Sequence, residues 1–287
     1  MSWPIQRRAI VCWQPGVIQR YESIWSIMHK FARRNIALPK DLWALFSKPC
    51  PGAATLLSIT SMRANLSDPR WIDRSKLEET LGLDADQIRS AFGPRYALGR
   101  QDGFAGGWGR PHLRFCEQCL TAGYHSPVHF LPFVTRCPIH DRPLQNECPK
   151  CERQIPHSIP NQTTFPAYAC QCGHPFWVSG KPASIPSEGM LRMNEIVAWI
   201  DLVNSKTPRL AAHVPAAIEE TWELERTAIE YVRELAAFDP MLAPPSCLCI
   251  QSAKHRTLSC YSGGAGDHET SEATALGIYK AIRRRLS

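Results

Sequence analysis

This sequence predicts a mainly α-helical protein built around a central, metal-bound module of loops and short hairpins. Three observations carry that expectation. Of the twelve cysteines, seven crowd between Cys116 and Cys172, mostly in pairs with one or two residues between them. Apolar residues recur at helical spacing on both sides of that stretch. The stretch itself is rich in proline and poor in helical periods, as metal-held turns are. The expected layout is an N-terminal helical region over residues 1–102 carrying a helix-turn-helix, a module of tandem zinc ribbons over 112–178, and a C-terminal helical region over 187–287.

Composition bounds the partners. A formal charge of 33 − 26 = +7 suits a polyanion without demanding one. A hydrophobic share of 44% is ordinary for a chain with a core. The start, Met1-Ser2-Trp3-Pro4, runs into Arg7-Arg8 with no apolar stretch of the secretory kind. No run approaches the roughly 18 apolar residues of a membrane helix. The chain therefore reads as cytoplasmic, with no membrane partner, where thiols stay reduced and free to bind metal.

From the N-terminus, Ile24, Ile27, Met28 and Phe31 share one face of a helix over about 21–32. Arg33 and Arg34 close it with positive charge, where the helix dipole favours cations. Ser75-Lys76-Leu77-Glu78 reads as a capping box opening a second helix, which Gly82 ends. Asp84-Ala85-Asp86-Gln87 opens another that runs to about Phe92, and the two form a helix-turn-helix pattern. Gly93-Pro94 and the glycines from Gly103 to Gly109 mark a linker. Beyond the cysteines, Met190, Met193, Ile196, Val197 and Ile200 form one stripe from Glu188 onward. A longer helix is expected around Ile218–Leu235, loop over Asp239–His268, and a last helix from Ser271 to Leu286 bearing Lys280, Arg283, Arg284 and Arg285.

The cysteine spacing is the chemically specific signal. Cys116-x-x-Cys119 and Cys137-x-x-His140 lie seventeen residues apart, and Cys148-x-x-Cys151 precedes Cys170-x-Cys172 by eighteen. One such turn aims two donors at a metal and a second turn completes the tetrahedron, the habit of structural zinc. The simplest assignment is two zinc ions per chain, one held by three cysteines and a histidine and one by four cysteines. A cross-braced pairing stays open, as does His174 replacing Cys170 or Cys172. Cys247-Leu248-Cys249 with His255 and Cys260 offers a third site, against the plainer reading of small apolar fillers. Cys12 and Cys50 have no such companions. Eight donors for two ions leave no open coordination position for catalysis. His-x-Glu and Pro-Cys-x-x-Cys, the marks of a zinc deaminase, are absent. Gly103-Phe104-Ala105-Gly106-Gly107 lacks the Lys-Ser/Thr of a phosphate loop.

From Phe115 to Cys172 the order of these pieces resembles the TniQ family. The order is Cys116 to Leu120, the apolar segment His129–Val134, Cys137-Pro138-Ile139-His140, Leu144, Cys148-Pro149-Lys150-Cys151, then Cys170 with Cys172. Glu22-Ser23-Ile24-Trp25-Ser26-Ile27 is similar to the family's Glu-Ser-Leu-x-Ser-Trp helix, with Ile at the Leu and Trp positions. Leu81–Ile88 is similar to the helix-turn-helix that follows it. Glu117 stands where proline is frequent, and the C-terminal third matches no family motif. The resemblance implies a non-enzymatic target-selection adaptor of a bacterial transposition system. Such a protein links a target, a DNA site or an RNA-guided (Cascade-like) complex, to an AAA+ ATPase regulator and through it to a transposase.

Two other classes stay open, a zinc-containing helix-turn-helix transcription regulator and a metalloenzyme. Candidate DNA contacts are Gln87, Arg89 and Ser90 on the second helix of the pair, with Arg95 and Arg100 just past it for phosphates. The alternative for that pair is a packing or protein-docking unit. A homodimer also stays open.

Overall fold

The computed structural model describes residues 11–48, 66, 72–93, 112–131, 133–157, 167–179, 184–206, 229, 232–233, 236–237 and 239–248. Six α-helices are delimited there: α1 Ile24–Asn35, α2 Pro39–Phe46, α3 Arg74–Leu81, α4 Ala85–Ala91, α5 Glu117–Thr121 and α6 Ser187–Lys206. No β-strand occurs among the described residues, only isolated antiparallel bridges. The chain is mainly helical, and no described helix is long and apolar enough to cross a membrane. Arg95, Arg100, Cys50, Cys249, His255, Cys260, the Gly103–Gly109 linker and the Ser271–Leu286 helix lie outside the described residues. So does most of the Ile218–Leu235 segment.

α1 is more deeply placed than its apolar face suggests. Its N-cap Ser23 accepts a hydrogen bond from the Ser26 amide. Ile24, Ile27, Met28 and Phe31 are buried as their spacing predicts, but so are Ser26, His29 and Lys30, making a run of nine buried residues to Ala32. The helix is a central strut and not a surface helix with one wet face. At its end Asn35 binds the Cys12 amide and carbonyl through its side chain, pinning the preceding chain alongside. α2 follows at once, with Pro39 in the first turn and the Asp41 carboxylate accepting from the Leu38 amide.

The helix start expected at Ser75 lies upstream. α3 opens at Arg74, and its cap is Asp73, whose carboxylate accepts from the Ser75 and Lys76 amides at 3.1 and 3.4 Å. Tertiary context selects it: the Asp73 amide donates to the Phe46 carbonyl, and Ile72 bridges Ser47, fixing extended backbone just ahead of the helix. Asp73→Ala should therefore cost about 1 kcal/mol of stability in urea unfolding while Ser75→Ala costs only a few tenths. Equal costs would contradict this cap. Gly82 ends α3 in the left-handed region (φ 65°). α4 opens as its sequence predicts, Asp84 and Gln87 each accepting from the other's amide.

Two apolar cores organise these elements. The first joins α1–α4 to Leu113, Phe115, Leu120, Cys148, Ile155, Tyr168, Cys170, Phe176 and Trp177. The second joins Cys116, Cys119, Tyr124, Val128, Leu131, Phe133, Val134, Cys137 and Ile139 to Met193, Ile196, Trp199, Ile200 and Val203 of α6, with Ile229, Val232, Leu242 and Leu248. α6 approaches the backbone of Ile139 so closely that a Cβ on Gly189 would lie 2.9 Å from the Ile139 Cα. A glycine inside a helix is tolerated there because nothing larger fits.

Candidate metal centres

Three of the four cysteine turns are built the same way by their backbone. The Cys137 amide donates to the Arg142 carbonyl at 2.7 Å and the Asp141 amide to the Cys137 carbonyl at 2.8 Å. Cys148 repeats the pattern with Arg153 and Glu152, and Cys170 closes a tighter version with His174 and Gly173. Asp141, Glu152 and Gly173 have positive φ, which lets the chain double back after the last donor. One bridge closes each turn: Arg136 with Pro143, Glu147 with Gln154, Ala169 with Pro175. The hairpins expected here are thus turns with a single bridge apiece. The fourth turn differs, because Cys116 is the N-cap of α5 and Cys119 sits in its first turns.

The turns bring the eight residues together as two groups of four. Cys116, Cys119, Cys137 and His140 form one, Cys148, Cys151, Cys170 and Cys172 the other, with donor atoms within 4.8 Å of one another. The pairing is sequential, not cross-braced. In the first group the Cys119 and Cys137 sulphurs are 3.5 Å apart, and His140 Nδ1 lies 3.5, 3.2 and 3.8 Å from Cys116, Cys119 and Cys137. In the second, Cys148–Cys172 and Cys151–Cys170 measure 3.8 and 3.7 Å. Metal–sulphur bonds of about 2.3 Å in a tetrahedron put sulphurs about 3.8 Å apart. A disulfide needs about 2.05 Å, so these thiols are spaced for a shared cation and not for oxidation to one another.

The electrostatics agree with the donor set. Hydrogen bonds from Cys119 and Cys137 pull the Cys116 thiol far down, while burial pushes Cys119 well up. The bond to Cys116 pushes Cys137 to about 12. In the second group the Arg153 amide lowers Cys151 to about 6, and burial raises Cys170 to about 12. In each group one thiol is lowered while another is raised, because burial and the shared hydrogen bonds oppose a second charge. A bound dication removes that resistance and ionises coordinating thiols outright. Each group can therefore hold a metal ion.

The remaining predicted residues are placed less tellingly. His174 sits outside the second group, its ring edge-on to Phe176. The Cys247 thiol donates to the Arg192 carbonyl at 3.8 Å, and its proposed companions are not described. Gln87 and Arg89 are exposed on α4, with Ser90 partly so. Gln87 is engaged in the cap, Ser90 donates to the Gln87 carbonyl, and Arg89 is ion-paired with Asp86. Across residues 72–93 the cations Arg74, Lys76 and Arg89 face Asp73, Glu78, Glu79, Asp84 and Asp86, a balance of 3 − 5 = −2. That field opposes a phosphate backbone.

One constellation the periodicity did not reveal is a polar seam beneath α1. Glu22 and Lys30 form an ion pair at 2.7 Å with both side chains 0% exposed. Lys30 also donates to the Val17 carbonyl, and the Gln19 amide donates to Glu22. Ser26 donates to Glu22 at 2.5 Å, so the Tyr168 hydroxyl must be the donor to Ser26 at 2.6 Å. His125 Nε2 meets the Arg114 carbonyl, an acceptor only, so its Nδ1 accepts from Ser23. His29 Nδ1 accepts from the Tyr168 amide. Burial holds both histidines neutral, taking His29 down to about 3. The spacing Glu22, Ser26, Lys30, one residue in four, was the available signal.

No protein-family model matches this chain, and no curated protein does either.

Proposed function

We propose that the chain is a non-enzymatic, zinc-stapled adaptor of the TniQ type, coupling a DNA or RNA-guided target to an AAA+ ATPase and thereby to a transposase. The observation that carries this reading is the ordered pair of four-donor groups, three cysteines with a histidine and then four cysteines, each of tetrahedral dimensions. Thiolate-rich sets with one imidazole select zinc over hard cations. Four protein donors fill a tetrahedral shell, which favours a structural ion over one that activates water. The ions would stand in for the strand pairing that these loops lack.

The α3–α4 pair supports a protein-facing helix-turn-helix better than a duplex reader, since its charge balance is negative and Arg89 already has a partner. Direct DNA affinity is expected to be weak and salt-sensitive, with a slope of about −0.9 per phosphate contact. Fluorescence anisotropy at two salt concentrations, run beside co-sedimentation with the AAA+ ATPase on DNA, tests this. Arg89→Ala with Arg95→Ala should lower residual duplex binding and spare ATPase association. Nanomolar, sequence-selective binding by the chain alone, without ATPase association, would instead make it a zinc-containing transcription regulator.

A further inference from the structure

Although the two cysteine groups are neighbours in sequence, they belong to different cores. Cys148 and Cys170 are buried with α1–α4, whereas Cys116, Cys119 and Cys137 are buried with α6. The loop carrying Cys170 and Cys172 also closes the polar seam. From Tyr168 come the hydroxyl bonded to Ser26 and the amide bonded to His29. From the other side of the donors, Trp177 takes an Arg33 hydrogen bond on its carbonyl, and its ring lies 5.9 Å from the Lys30 ammonium and 5.1 Å from the Arg33 guanidinium. Tyr168 and Trp177 pack ring to ring at 5.4 Å, so the loop meets α1 as one lid.

The first group reaches the first core through Phe115 and Leu120, which flank its donors, and meets the start of α1 through Tyr124 and His125. The Ser23 amide donates to the His125 carbonyl, and the Tyr124 hydroxyl reaches the Arg20 and Tyr21 carbonyls. Its main attachment is to α6, where Arg192 donates to the Ile139 carbonyl and Gly189 meets the Ile139 backbone.

We infer that the second metal centre governs the docking of the N-terminal helices and the first governs the docking of α6, so that the two ions act on separate halves of the protein. This rests on both groups holding metal. Loss of the second ion frees the 167–178 lid, lets water reach Glu22 and Lys30, and removes the reason for α1 to stay buried around a charged pair. α3 and α4 reach the rest of the described fold largely through that same core, so they loosen with it. α6 belongs to the second core and is tied to the N-terminal segment at Tyr21, whose hydroxyl donates to Asn194 at 2.8 Å.

Hydrogen-exchange mass spectrometry on the full chain, with native mass spectrometry to count ions, tests this. Cys172→Ser should lose one ion and speed exchange in 24–35 and 74–91 by about tenfold or more, leaving 187–206 protected. His140→Ala should lose one ion and show the reverse, apart from the Ser23 amide. Tyr168→Phe should keep both ions yet loosen 24–35 alone. If Cys172→Ser loses its ion while 24–35 stays protected, or if both variants release both halves together, the division of labour is wrong. An unchanged ion count in Cys172→Ser would overturn the metal assignment of that group instead.

Discussion

Cys137→Ser is expected to cost the chain one zinc ion and the fold of the segment around that site, residues 112–144. The thiol it removes lies 3.5 and 3.8 Å from two other donors and is buried in the second core. A hydroxyl there neither ionises nor offers a soft donor, and it leaves a polar group facing three ligands without their cation. Beyond its apolar contacts with the two cores, little regular structure holds the segment. The described part of 112–178 contains one five-residue helix, a short 3-10 turn and single bridges, and no sheet. Structural zinc contributes on the order of 10 kcal/mol to folding at neutral pH, several times what one core side chain offers. Limited proteolysis should cut between 112 and 144 in the variant and spare that region in the wild type. Elemental analysis should fall from about two zinc ions per chain to about one. A folded variant that lost only a hydrolytic activity would reverse the assignment of this ion as structural.

The second large effect is expected at Glu22. Replacing it with Gln removes the charge that balances buried Lys30 and turns one of two acceptor oxygens into a donor, so the Ser26 bond to Oε1 and the Gln19 and Lys30 bonds to Oε2 cannot all be kept. Burial opposes the charge on both members, pushing Glu22 up and Lys30 down, and each offsets that for the other. Breaking such a pair from one side typically costs about 3–5 kcal/mol. The double variant Glu22→Gln with Lys30→Met should cost well under the sum of the single changes, because no orphan charge remains. Denaturant unfolding of the four proteins measures the coupling. Strict additivity would mean that the pair does not interact inside the core.

What the residues disclose by themselves follows from locality. The caps at Asp84 and Gly82 and the apolar stripes of α1 and α6 are set within a turn or two, and the structure bears them out except at Met190, which is half-buried and joins neither core. The cysteine turns are local too: two donors on one knuckle need only the spacing and a residue able to turn back. Where a neighbour competes, locality fails. Asp73 displaced Ser75 as cap because Phe46 and Ser47, distant in sequence, fixed the backbone ahead of the helix. Trp199 escaped the stripe read for α6, yet its indole is buried and donates to the Leu242 carbonyl, a partner forty-three residues away.

By itself, then, the sequence determined that the protein is mainly helical, where α1, α3, α4 and α6 lie, and which eight side chains are candidate donors, but it did not disclose α2. Each depends on residues within a few positions of one another. Only the tertiary structure decided how the donors pair, that each group joins a different core, and that Glu22 and Lys30 are buried together. Those outcomes depend on loops closing over twenty to more than a hundred residues, where the chain entropy of closure is nearly indifferent to which partner is met. The choice then falls to packing and to the cost of leaving a buried charge or thiolate unmatched, neither of which is written in a local pattern.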